Sequence, residues 1–173
     1  MTASMAVPGW FAYAILLLVA GQRLAELVVA KRNTAALMAR GAVEIGAAHY
    51  PLIVALHAVW LITLLGWVAL TSPVVNLSLL VVFVCLQAAR LWVLWSLGPF
   101  WTTRIITLPD APLVRRGPYR FVRHPNYLVV ILEIAVLPLV FDAWMLAVTF
   151  SVLNAAILYV RIRAEDQALA VRR

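Results

Sequence analysis

The sequence predicts an all-α fold, a polytopic integral membrane helical bundle of about five transmembrane helices. Three observations carry that expectation. The 173 residues are 65% hydrophobic, with a mean hydropathy of +0.99, whereas a soluble domain of this length is nearer half apolar. The apolar residues fall into stretches close to the ~20 that a spanning helix needs. The basic residues gather at the ends of alternate stretches, as they do in membrane proteins that keep positive loops on one side.

The first span is read as Trp10–Val29. Met1 to Gly9 carries no basic residue, so this span is expected to be a retained helix and not a cleaved signal. The second is Pro51–Leu70, opened by Ala48-His49-Tyr50-Pro51, and the third is Leu77–Leu97. The fourth, Tyr127–Val140, is short for a full crossing and is expected to tilt or to stop below the far surface. The fifth, Ala143–Val160, follows after Phe141-Asp142 alone, which implies a tight helical hairpin. No internal repeat or low-complexity segment interrupts the chain. One membrane domain is expected over 1–173, with a three-span part at 1–100 and a loop, hairpin and C-terminal motif at 101–173.

Lys31, Arg32 and Arg40 lie between the first two spans. Arg104, Arg115, Arg116, Arg120 and Arg123 lie between the third and fourth, and Arg161, Arg163, Arg172 and Arg173 follow the fifth. The other links carry no Lys or Arg. By the positive-inside rule the N-terminus is outside, and the two long loops and the C-terminus are cytoplasmic. Arg23 and Arg90, inside spans, fall toward the cytoplasmic ends, within snorkelling reach. The formal charge of +7 is thereby explained without nucleic acid as a partner. The seven tryptophans read mainly as interfacial anchors. The single Cys85 excludes an intramolecular disulfide.

Chemistry concentrates on the cytoplasmic side. Arg116-Gly-Pro-Tyr-Arg-Phe-Val-Arg-His-Pro-Asn-Tyr127 packs arginines, a histidine and two tyrosines into a loop that leads directly into a helix. Pro125 suits the first turn of that helix, where its missing N–H costs nothing. A helix start flanked by arginines is an anion site; the bland alternative is a positive-inside anchor. Arg161 and Glu165 share a helix face at i,i+4, which by itself suits an ordinary surface pair of ~0.3–0.5 kcal/mol. Glu133 is a carboxylate inside a span, a functional candidate by default, with a buried pair to Arg90 or Arg23 as the alternative. Arg23 and Glu26 are spaced to pair. His49 and Tyr50 belong to the same interface, and the deeper His57 reads as a hydrogen-bonded structural residue. No Cys, His or acidic set has metal-ligand spacing, and no Gly-rich nucleotide loop is present.

Gly117-Pro118-Tyr119, Arg123-His124-Pro125-Asn126-Tyr127 and Arg161-Ile162 with Glu165-Asp166 together resemble the isoprenylcysteine carboxyl methyltransferase family, within a wider group that includes phospholipid methyltransferases. The resemblance covers about Trp101 to Leu169. Trp101-Thr-Thr-Arg104 and Ala48-His49-Tyr50-Pro51 look most like small bacterial members. It implies an S-adenosylmethionine-dependent O-methyltransferase of a bacterial inner membrane, with a lipophilic or lipidated acceptor. That acceptor would be a prenylcysteine carboxylate or a polyketide or alkylpyrone hydroxyl.

Carried over by position, Leu113 and Val114 match a pair whose backbone lies along the cofactor. Tyr119, Arg123, His124, Pro125 and Asn126 match the cofactor turn, and Glu165 the acid that holds the cofactor's amino group. Arg161 matches the arginine near the acceptor, and Arg104 falls near a polar cofactor-binding position. Arg161 by this match, and Glu133 as the carboxylate inside a span, are the catalytic candidates. One departure is Ala111, which stands where the family usually carries His; with Arg173 as the last residue, a reduced cofactor lid is also expected. The rival expectations are an NADPH-dependent membrane lipid reductase and a non-catalytic protein that binds anionic lipid. No Gly-x-x-x-Gly dimer face appears.

Overall fold

The structure, a computed structural model, describes residues 4–5, 9–109 and 111–170. Arg172, Arg173 and most of the N-terminal stretch, used above for topology, lie outside the described residues. Five helices build an all-α membrane bundle: α1 Gly9–Met38, α2 Tyr50–Thr71, α3 Leu77–Leu97, α4 Pro125–Val140 and α5 Trp144–Ala170. Among the described residues, α1, α2, α3 and α5 are long and apolar enough to cross a membrane. Their outward faces carry exposed apolar side chains such as Leu17, Ile62, Trp95 and Val148, as lipid contact requires.

The boundaries follow local chemistry. Asn76 caps α3, its side chain accepting from the Leu79 N–H at 3.1 Å, and Gly98, at φ +54°, ends it. α1 runs nine residues past the expected Val29. Lys31, Arg32, Ala35, Ala36, Leu37 and Met38 are good helix formers, and no breaker occurs before Gly41. α4 has 16 residues, ~24 Å of rise, and it is the most enclosed helix: Val130, Glu133, Ile134, Leu137 and Val140 are all buried. Packed among other helices, it need not meet both membrane surfaces. Asp142, at φ +54°, turns the chain from α4 into α5.

Two short ribbons, not expected from the sequence, tie the ends of the bundle. β1 (Ser4–Met5) pairs antiparallel with β3 (Val75–Asn76). At the opposite end β2 (Val43–Ile45) pairs antiparallel with β4 (Ile105–Thr107), with Glu44 opposite Ile106. The main core, with Trp60, Leu64, Phe83, Leu137 and Phe141, lies toward the β1–β3 end. A small cluster of Leu37, Ala42 and Leu108 underlies the β2–β4 ribbon. Of the tryptophans read as anchors, Trp60 and Trp101 are buried in the protein, and Trp67 donates to the Phe141 carbonyl at 3.0 Å; Trp10, Trp92, Trp95 and Trp144 face outward.

The bundle interior holds four charges. Arg90 grips Glu26 with two parallel bonds, Nε to Oε1 at 2.6 Å and Nη2 to Oε2 at 2.7 Å. Its Nη1 reaches Glu133 Oε2 at 2.7 Å. Arg23 bridges the same two acids, at 3.0 Å to Glu26 and 2.7 Å to Glu133. Gln22 and Gln87 donate to the remaining lone pairs. Arg23 and Arg90 thus turn inward onto acids and do not snorkel. Two cations balance two anions in excellent geometry, the condition under which a buried ion cluster is tolerable.

Candidate functional site

The site lies at the β2–β4 end, where the loop between α3 and α4 folds over the bundle. Gly117 has φ +58° and sits so close to α3 that a Cβ there would lie 2.0 Å from Ser96 Oγ. Only glycine allows both the conformation and the approach. Next to it, Arg116 Nε donates to the Ser96 carbonyl at 2.7 Å. A 3-10 turn over Gly117–Arg120 follows. His124 then occupies the cap position of α4 and Pro125 its first residue, so the first free N–H groups of α4 point back toward the loop.

A cavity of about 870 Å³ opens beneath this loop, within the size range of small-molecule sites. Its rim carries Leu113, Val114, Tyr119, Arg123, His124, Asn126 and Glu165, as the sequence led us to expect. Arg161 and Arg104 also line it. Pro125 does not; it is buried in the helix start and positions its neighbours. Glu133 does not either. It is 1% exposed, with both oxygens taken by Arg23, Arg90 and Gln87. The candidate catalytic carboxylate is therefore an ion-pair partner inside the bundle and presents nothing to the cavity.

Arg161 and Glu165 do not form the direct pair that their spacing suggests. Tyr127 stands between them. Arg161 Nε donates to the Tyr127 hydroxyl at 2.9 Å, and that hydroxyl donates in turn to Glu165 Oε2. Arg161 Nη2 donates to the Thr103 carbonyl at 2.5 Å. The guanidinium is buried, at 5% exposure, and its Nη1 makes no hydrogen bond to the described residues. His124 stacks on Tyr127, with ring centroids 5.5 Å apart, and places Nδ1 3.8 Å from Glu165 and Nε2 3.4 Å from Asp166. Burial, and then the Glu165 charge, push the Tyr119 phenol well above its ordinary value, so it remains neutral.

Tyr127 and Thr103 were not picked out as site residues. The Tyr127 signal was its place one residue after Asn126, but its role depends on α5 returning beside α4. Arg104 reaches the rim already engaged: Nη1 contacts both Glu44 oxygens, at 2.8 and 2.9 Å, and its guanidinium lies 4.5 Å from the Tyr50 ring centroid. The Tyr50 and Thr103 hydroxyls share a hydrogen bond of 3.1 Å. These contacts fasten the start of α2 to the segment before β4.

The paired loop and α5 motifs, now joined through Tyr127, have a counterpart in known proteins. Residues 78–171, more than half of the chain, match the profile of the Isoprenylcysteine carboxyl methyltransferase (ICMT) family. The chain belongs to this family. It is 42% identical over 163 residues to the uncharacterized protein YpbQ of Bacillus subtilis (strain 168), covering 92% of this chain and 95% of that one. It is 28% identical over 156 residues to an uncharacterized protein of Haemophilus influenzae, covering 86% and 88%. No solved structure matches. Family membership and the apolar helices make this an integral membrane protein of a methyltransferase family.

The residues present fit S-adenosylmethionine, the cofactor general to that family. Asn126 lines the cavity, and its buried Oδ1 has no hydrogen-bond partner among the described residues, an orphaned acceptor of the kind a bound donor satisfies. Glu165 adds a carboxylate for an ammonium, and Arg123 a cation for a carboxylate.

Proposed function

We propose that the protein is an S-adenosylmethionine-dependent O-methyltransferase. It acts on a lipophilic acceptor, a prenylcysteine-type carboxylate or an acidic polyketide-type hydroxyl, at the cytoplasmic face of a bacterial inner membrane. The observation that carries this reading is the Arg161–Tyr127–Glu165 chain of hydrogen bonds on the wall of the cavity. It links an acid suited to the cofactor's ammonium with an arginine suited to an anionic acceptor.

When bound, the cofactor supplies a methyl group on a sulfonium for in-line transfer to an acceptor oxygen. Glu165 and Asn126 Oδ1 hold donors at one end of the cavity. Arg123 and the first N–H groups of α4 hold a carboxylate beside them. Arg161, always charged, orients the acceptor's anionic oxygen through its free Nη1 without giving up a proton. A carboxylate or an acidic enol is ionised near neutral pH, so no general base is required. Leu158 and Val130, below Arg161, exclude water. The contribution asked of the chain is alignment, worth at most ~7–11 kcal/mol. The acceptor's apolar tail enters sideways between helices and leaves its polar head at the interface.

The test is transfer of labelled methyl from S-adenosylmethionine to a panel of lipidic carboxylates and enols by the purified protein in micelles. Thermal stabilisation by S-adenosylhomocysteine and by NADPH is compared in parallel. The reading predicts transfer to at least one acceptor and stabilisation by the former. Absence of both, with stabilisation by NADPH, overturns it.

A further inference from the structure

The wall of the cavity is not apolar throughout. Within it lie Arg23 and Glu26 of α1, His57 of α2 and Arg90 of α3, with the apolar Ala20, Leu61 and Ile62 lining it further in. Three members of the buried ion cluster therefore border open space, and only Glu133 is sealed off. A cluster serving stability alone is best closed to everything, because each exposed edge leaves polar groups half satisfied. This one is backed by a further polar group. His57 Nδ1 lies 2.8 Å from the Ile53 carbonyl of its own helix, so in the neutral ring Nδ1 carries the proton. Nε2 is then a lone-pair acceptor on the side of the ring turned away from α2, and no described residue donates to it. The depth is also set. Glu133, which anchors both arginines, is six residues beyond Tyr127 on α4, or ~9 Å of helix rise. Leu158 and Val130 line the stretch between the two levels.

We infer that this charged level of the cavity wall is a polar subsite that recognises a hydroxyl carried within the apolar portion of the acceptor. The acceptor class is thus a bipolar lipid, with a reacting oxygen at Arg161 and a second oxygen ~9 Å further in. A hydroxyl suits this level better than other groups, because it donates to His57 Nε2 while offering its lone pairs to the guanidiniums that line the same cavity. A carbonyl does only the second, and a methylene leaves both unsatisfied. Discrimination then comes from the cost of leaving buried polar groups unpaired, the strongest basis for selecting one lipid over another.

The word acceptor rests on the methyltransferase reading; the subsite itself does not, and the test separates the two. Palmitate and its hydroxylated isomers, with the hydroxyl near the carboxylate, at mid-chain or at the far end, are compared by thermal stabilisation of the protein in micelles and by kcat/KM for methyl transfer. The mid-chain isomer is expected to outperform palmitate and both other isomers by about tenfold. His57→Leu is expected to remove that preference, raising palmitate relative to the mid-chain isomer because no lone pair is then left unpaired, and His57→Gln, which keeps an acceptor, to retain part of it. Equal behaviour of the isomers with the wild-type protein, or a preference that survives His57→Leu, overturns the inference. Mid-chain preference in stabilisation without any methyl transfer upholds the subsite and counts against the methyltransferase reading alone.

Discussion

In the bundle interior Arg23 and Arg90 meet Glu26 and Glu133 directly, and all four carboxylate oxygens are taken. At the loop end, ~9 Å away along α4, Arg161 and Glu165 are of the same residue types and lie four apart on one helix, yet the Tyr127 hydroxyl keeps them apart. The first arrangement neutralises itself and holds three helices together. The second leaves a cation and an anion each with unspent capacity on a cavity wall. What separates the two arrangements is whether a hydroxyl intervenes between opposite charges, and residue type does not show it.

The sharpest way to break that comparison is to cut the interior cluster. Glu133→Ala strands two guanidiniums, and a loss of ~3–5 kcal/mol is expected, read as failure to assemble or a large fall in Tm in micelles. If Glu133→Ala keeps its stability but loses methyl transfer, the interior acid is catalytic after all and the contrast fails. Arg161→Ala is the complementary cut. It is expected to lower kcat by at least ~100-fold while S-adenosylhomocysteine binding persists and Tm falls by less than in Glu133→Ala; loss of cofactor binding would move Arg161 to the other substrate. Glu165→Ala is expected to raise KM for S-adenosylmethionine by ~10–100-fold, the worth of a charge-assisted hydrogen bond, with a smaller effect on kcat.

The rim pair Arg104–Glu44 marks the weak end of the scale. It is partly exposed, at 41% and 21%, and Arg104→Ala is expected to cost no more than ~1 kcal/mol by chemical denaturation. Tyr119 gives the smallest effect and one confined to high pH. Its folded phenol holds its proton more tightly than the unfolded one, which ionises near pH 10. The stability it lends is whole below that value and is lost as pH rises above it. Tyr119→Phe is therefore expected to flatten the decline in Tm above pH 10 and change little at pH 7.

How far the molecule could be read from its sequence follows the same physical divide. Hydropathy runs are short-range, so the span read at about Leu77–Leu97 coincides with α3, and that read at Pro51–Leu70 lies one residue inside α2 at each end. The apolar run at Trp10–Val29 marks the membrane-spanning part of α1, and the helix continues to Met38 because Lys31 and Arg32 end the hydropathy run without ending helix propensity. The ribbons escaped because strands of two or three residues carry no periodicity. At the site, the rim residues were legible as a motif. Tyr127's bridging place, the engagement of Arg104 by Glu44 and the enclosure of Glu133 depend on which helix faces return to one another, and no local pattern records that.

The family profile covers only one wall of the cavity. The loop and α5 side lies within residues 78–171, the stretch shared with the family profile. The opposite side, with Arg23, Glu26, Tyr50 and His57, comes from the first two helices, outside that stretch. Substitutions confined to α1 and α2 can therefore reshape one wall of the cavity without touching any residue in the stretch that the profile matches.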